Sequence, residues 1–167
     1  RLSEMQAAFA RAQLGKLEEL TQRRRAACAI LCERLREIPG LEFRVPDPHA
    51  ELSSYSFPLL FPGESFRAPA AQISAAMHAE GVGTLAIAQD ELIHVHPLFA
   101  AAEGRATATA FRLRGDAPVP PYGWGTLPVA EKIASELLLL PMHPGLSAQD
   151  LDDMVEATRK VASAYRR

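Results

Sequence analysis

Cysteine is almost absent from this chain: 167 residues contain two, Cys28 and Cys32. Two thiols cannot build the disulfide framework of a small secreted domain, so a reducing, cytoplasmic location is expected. Lysine is nearly as scarce, three residues against fifteen arginines. Chemistry that needs a primary amine therefore has only Lys16, Lys132 and Lys160 to draw on. The excess of Arg, with many Ala, reads as the codon usage of a GC-rich genome rather than as function. A basic surplus is missing, since the net charge is −2. That argues against nucleic-acid binding and removes any electrostatic attraction to an anionic membrane. No apolar run approaches the roughly 20 residues of a membrane helix. Residues 2–20 are amphipathic and charged, so no secretory leader is expected. There is no repeat and no low-complexity tract. What remains is an ordinary globular composition, 48% hydrophobic and 23% charged, in a length that suits one domain.

Helical signals dominate both ends. Ser3 followed by Gln6 fits a capping box. From there to Ile38 there is no proline, and Leu14, Leu17, Leu20, Ala27, Leu31, Leu35 and Ile38 recur mostly at steps of three or four. This predicts one amphipathic helix, or two in line, with Gly15 the weakest point because glycine costs about 1 kcal/mol against alanine. Pro39-Gly40 stops it. Leu41–Val45 alternates as a half-buried strand, and Ser54–Phe61 reads as a second, with Pro58 suited to a sheet edge or bulge. Pro46-Asp47-Pro48 breaks the chain between them. Pro69 opens a helix carrying Ile73, Ala76, Met77 and Glu80, with Gly81 at its end. Residues 83–88 and 92–96 read as short extended segments, 100–110 are weakly patterned, and 114–125 form a loop. Pro128 starts a helix with Val129, Ile133 and Leu137 inward, ended by Pro141. Ser147–Asp150 caps a last helix whose inward stripe is Leu151, Met154, Val155, Thr158, Val161, Ala162 and Tyr165. The fold class is α/β or α+β, a small sheet covered by helices.

Four blocks carry a resemblance. Arg1–Ala8 runs on to Ala12–Leu17; Arg23-Arg24-Arg25 precedes a helix and Ile38–Leu41; Arg67–Gly83 forms a third; Leu127–Ala134 and Leu138–Ser147 form the last. In this order and spacing they resemble the PLP-dependent sugar aminotransferases of the DegT/DnrJ/EryC1/StrS family. The resemblance implies the aspartate-aminotransferase fold, called fold type I. In it a large domain holds PLP and its Schiff-base lysine, a smaller C-terminal domain packs on it, and homodimers share the cofactor sites. It also implies that residues 1–15 are a remnant of the large domain or an interdomain helix, and residues 16–167 the C-terminal small domain. The Schiff-base lysine is then expected before Arg1, and this chain alone is expected to be inactive. Lys16, Lys132 and Lys160 each stand on charged helix faces, where lysines are ordinarily solvated.

Candidate site residues follow. The resemblance sets His94 and His96 at the mouth of a sugar pocket; on a strand both would face one side and could hydrogen-bond a substrate hydroxyl or carboxylate. An edge-strand histidine pair is the plainer reading, and no third ligand at suitable spacing suggests a metal. Arg67 is a candidate for a substrate carboxylate, against capping or ion pairing. Tyr122 and Trp124 lie in the Pro/Gly-rich loop and are candidates to close over substrate, against simple burial of aromatics. Arg1 follows a position associated with the PLP phosphate and is a candidate for the site rim or dimer interface. His143 and the pair Cys28 and Cys32 read as structural, and Arg23–Arg25 as a solvated face. The expected partners are the chain's own large domain, a second protomer and a small keto-sugar, with no nucleic acid or membrane. The reaction implied is transfer of an amino group from an amino acid to a keto-sugar or cyclitol, although some relatives dehydrate sugars instead. The alternatives are a non-enzymatic regulatory module built on the small domain, with Leu2–Leu14 as its adhesive segment, or one half of a two-chain enzyme.

Overall fold

The computed structural model describes residues 2–45, 49, 54–86, 92–96 and 123–167. Helix α1 spans Glu4–Leu14, and the expected capping box is formed: the Ser3 hydroxyl accepts the Gln6 N–H at 3.3 Å and Gln6 Oε1 accepts the Ser3 N–H at 2.9 Å. Gly15 and Lys16 separate it from α2, Leu17–Leu35. The two behave differently. No residue of α1 is buried, and Leu2, Met5, Phe9 and Leu14 are all exposed. The second half of α2 buries Ala27, Cys28, Leu31, Cys32 and Leu35. Leu14 and Leu17 therefore do not continue the inward stripe that begins at Ala27. The chain turns at Gly40, whose φ of +82° and whose closeness to Ser65, 2.9 Å from an added Cβ, both demand glycine.

Among the described residues, three antiparallel strands pair in the order β1-β3-β2: β1 Ser56–Leu60, β2 Leu85–Ala86 and β3 Leu137–Pro141. Pro58 sits on the edge strand, as expected. Leu60 turns its N–H away from β3 to the Glu42 carbonyl, 2.7 Å, and Pro58 two residues earlier has the same orientation. Its missing donor therefore falls on the outer side of the sheet. The strand expected at Leu41–Val45 is reduced to that one bridge between Glu42 and Leu60. Phe57, Leu59, Leu138 and Leu140 form the buried face of the sheet. The other face carries the row Pro58, Leu139 and Leu85, more open to water.

Helix α3, Ala70–Ala79, begins after Pro69 and buries Ile73 and Met77; Gly81 follows its end with φ +87°. Helix α4 is Pro128–Glu136 and passes into β3 at Leu137 with no intervening loop. This corrects the expectation of a single helix to Pro141 with Val129, Ile133 and Leu137 inward: Val129 and Ile133 are exposed, and Leu137 belongs to a strand. Ala134 is the residue α4 buries. Helix α5, Ala148–Tyr165, packs on α2 and α3 with the expected stripe inward. Its capping box joins the Ser147 hydroxyl to the Asp150 N–H and the Asp150 carboxylate to the Ser147 N–H. The core lies between the inner sheet face and these three helices. Among the described residues, no helix is long and apolar enough to cross a membrane.

Candidate functional site

Two of the expected residues meet, and they meet around a third that no local pattern announced. Leu92–His96 is a helical turn rather than an extended segment: the Val95 and His96 amides both return to the Leu92 carbonyl, 3.0 Å. On a strand, His94 and His96 would share a side. In the turn they part, His94 becoming 5% exposed while His96 faces solvent. His94 Nε2 lies 2.8 Å from Glu131 Oε1, in the first half of α4. The indole of Trp124 stands edge-on to the His94 ring, centroids 6.4 Å apart and planes at 73°.

Glu131 ties this group together. Both its carboxylate oxygens accept the Gly125 N–H, at 2.9 and 3.0 Å, and Oε1 also accepts the Leu127 N–H at 3.2 Å. One carboxylate thus organises the Gly123–Leu127 turn, which carries Trp124, and pins it to the turn that carries His94. Burial pushes the Glu131 carboxyl up. The Gly125 N–H, the His94 ring and the Leu127 N–H outweigh it and hold the group below the ordinary carboxylate value. Glu131 stands inside the Leu127–Ala134 block of the resemblance, but its partner is 37 residues away, so spacing could not reveal the pair.

Around this group lies apolar surface. Ile93, Trp124, Leu127, Val129 and Ile133 are exposed, and a shallow cleft of about 380 Å³ is lined by Thr126, Leu127, Pro128, Val129, Ala130 and Ile133. Arg67 is placed elsewhere. Its backbone N–H bonds to the Tyr165 carbonyl at 2.9 Å and its guanidinium to the Ala164 carbonyl, closing the C-terminal end of α5. Cations there satisfy the last helical carbonyls. Arg67 also borders a cleft of about 190 Å³ with Phe61, Phe66, Glu136 and Arg167. Arg1 and Tyr122 lie outside the described residues.

The cysteines are buried on one face of α2. Burial, then the neighbouring Cys28, pushes the Cys32 thiol up to about 11, with Arg36 opposing; burial also raises Cys28, against a hydrogen bond from Cys32. His143 packs beside Gly145 in the turn before α5. Arg23 is exposed and paired with Glu19 at 2.6 Å, whereas Arg24 and Arg25 are half-buried. The solvated-face reading therefore holds for Arg23 alone.

A PLP cofactor would need a lysine set in a cavity, an acid for its pyridine nitrogen and a cradle for its phosphate. The lysines of this chain do not fit that need. Lys132 is an exposed ammonium 3.6 Å from Glu64 and 3.9 Å from Glu136, Lys160 bonds Glu80 at 2.6 Å, and Lys16 is exposed between α1 and α2.

The sequence profile of the DegT/DnrJ/EryC1/StrS aminotransferase family matches residues 1–115. The Leu127–Ser147 block lies beyond that match, but individual relatives run through it. The chain is 28% identical over 163 residues to the erythromycin biosynthesis sensory transduction protein EryC1 of Saccharopolyspora erythraea, covering 98% of this chain and 37% of that protein. It is 30% identical over 167 residues to a pleiotropic regulatory protein of Geobacillus stearothermophilus, covering 99% and 38%. The crystal structure of S. venezuelae DesV in complex with a ketimine intermediate superposes on 97% of this chain and 37% of its own, with TM-score 0.73 and 26% identity. The chain thus spans little more than a third of the length of these relatives. With its profile match over more than half of its residues and a shared fold across nearly all of them, this chain belongs to the DegT/DnrJ/EryC1/StrS aminotransferase family.

Proposed function

We propose that this chain is the C-terminal small domain of a PLP-dependent aminotransferase that moves an amino group from an amino acid to a keto-sugar, often nucleotide-linked, or a cyclitol. The observation that carries the reading is the combination of a family match over residues 1–115 with a fold shared with DesV over 97% of this chain but only 37% of that enzyme. Residues 1–15 belong to the large domain or the helix between domains, and residues 16–167 form the small domain. The burial pattern supports this division, since α1 buries nothing while α2 enters the core. An 11-residue helix is marginal alone in water, so the exposed Leu2, Met5, Phe9 and Leu14 need a covering partner, which the large domain would supply.

PLP, when bound to the full-length protein, supplies the electron sink for amino transfer; the lysine that holds it belongs to the large domain, and this chain alone is inactive. The small domain contributes substrate contacts from His94, His96, Tyr122 and Trp124, while Arg67, the remaining candidate, has its guanidinium on the Ala164 carbonyl at the end of α5. The clustering of His94 and Trp124 with an apolar cleft beside them favours these two most. Arg1 serves the cofactor rim or the interface of a homodimer. The protein acts in the cytoplasm. The test is amino transfer from glutamate or glutamine to a nucleotide-linked keto-hexose by the full-length protein, with no turnover by residues 1–167 alone. Absence of turnover in the full-length, PLP-loaded protein across such substrates contradicts the reading.

A second reading has a specific support: two relatives are named as a sensory transduction protein and a pleiotropic regulatory protein. Under it the small domain is a non-enzymatic regulatory module, and α1 is its adhesive surface. A two-chain enzyme is the related case in which adding a separate lysine-bearing chain restores turnover.

A further inference from the structure

We infer that Glu131 is a positioning residue that holds His94 as its Nε2–H tautomer, which leaves Nδ1 as the nitrogen that accepts a hydrogen bond from a ligand hydroxyl. Two backbone N–H groups converge on the Glu131 carboxylate, Gly125 on both oxygens and Leu127 on Oε1, and the His94 Nε2 lies 2.8 Å from Oε1. An ionised carboxylate only accepts, so the ring nitrogen facing it must donate. A neutral imidazole carries one proton; with that proton on Nε2, the lone pair is on Nδ1. A carboxylate behind an imidazole fixes both tautomer and ring plane in this way wherever it occurs.

The surroundings keep the ring from choosing otherwise. His94 is 5% exposed, and Trp124 meets its ring edge-on. A flip about the Cβ–Cγ bond would turn a carbon toward Glu131 and leave its carboxylate with one donor fewer. A Gln at 131 is no substitute, because its amide group would set N–H donors against the Gly125 N–H, which lies 3.0 Å from Oε2. The identity of the ligand, a sugar hydroxyl, rests on the proposed function. The tautomer does not.

Side-chain nitrogen NMR of the ¹⁵N-labelled chain, at about pH 9 where an ordinary imidazole of pKa about 6.5 is neutral, reads the tautomer directly. The expected spectrum shows His94 as a single Nε2–H species. Glu131→Gln, and Glu131→Asp with its shorter reach, should convert it to an averaged mixture and shift the emission of Trp124, the only tryptophan. A wild-type His94 found as Nδ1–H or as a mixture overturns the inference without any variant having to fold. So does an unchanged His94 spectrum in a folded Glu131 variant, which would leave Glu131 as a cap of α4 alone. In the full-length protein with a nucleotide-linked keto-hexose as probe, His94→Asn, whose amide reaches the Nδ1 place, should keep KM within a few-fold. His94→Gln, which reaches the Nε2 place, should raise KM by tenfold or more with kcat less affected; the reverse order contradicts the role of Nδ1. Loss of all turnover in the wild type would sink the proposed function and leave the NMR result standing.

Discussion

Replacing Leu137, Leu138, Leu139 and Leu140 with Ala one at a time reads the geometry of the segment that joins α4 to the sheet. Leu138 and Leu140 are fully buried, opposite Leu59 and Phe57 on β1, while Leu137 and Leu139 are half-buried on the other face. Each Leu→Ala change removes three carbons, about 2.4 kcal/mol at roughly 0.8 kcal/mol per buried carbon. The cavity left behind in a packed core lifts the loss to about 3–4 kcal/mol. The half-buried positions should lose about 1 kcal/mol each. For a chain of this size 1 kcal/mol moves Tm by about 2–4 °C, so Leu138→Ala and Leu140→Ala should fall by about 6–16 °C. Urea unfolding followed by circular dichroism, with unchanged slope, gives the same ranking at equilibrium. The expected profile alternates low, high, low, high along 137–140. A continued helix would instead put Leu137 and Leu140 on the face of Ile133 and spare Leu138. Leu137→Ala costing more than Leu138→Ala would refute the strand.

Other outcomes follow from the caps, the thiols and α1. Ser147→Ala should cost about 1 kcal/mol, because the hydroxyl caps α5 at the Asp150 N–H. The Ser147 N–H and then its hydroxyl hold the Asp150 carboxyl below its ordinary value, so its stabilisation is present above the unfolded pKa of about 3.9 and is lost as pH falls through the lower folded value. Asp150→Asn should accordingly flatten the acid limb of the stability curve below about pH 4, read by thermal melts across pH. Buried Cys28 and Cys32, both with raised pKa, should react with a thiol reagent only at the rate of unfolding; fast labelling in the folded state would contradict their burial. Deleting residues 1–14 should leave the cooperative transition within about 0.5 kcal/mol, since α1 buries nothing, and a large loss would move the domain boundary.

Legibility in the sequence followed the range of the signal. The α1 and α5 capping boxes and the α5 stripe are patterns over three or four residues, and each is found where the spacing puts it. Leu137–Leu140 has no period, since four identical apolar residues satisfy helix and strand alike, and only the pairing with β1 and β2 decides. The 92–96 turn defeated the alternation rule because His94 is drawn inward by Glu131 and not by its neighbours in sequence. Arg67 could be read as a cation near a helix, but its closing of the α5 terminus needed the fold. The family blocks carried the functional reading where composition and periodicity stopped.

The central claim is that this chain supplies the small domain and another part of the protein supplies the lysine. Loading the full-length protein with PLP, reducing it with borohydride and mapping the modified peptide tests that claim directly. One labelled lysine is expected, outside residues 1–167. Label on Lys16, Lys132 or Lys160 would contradict it.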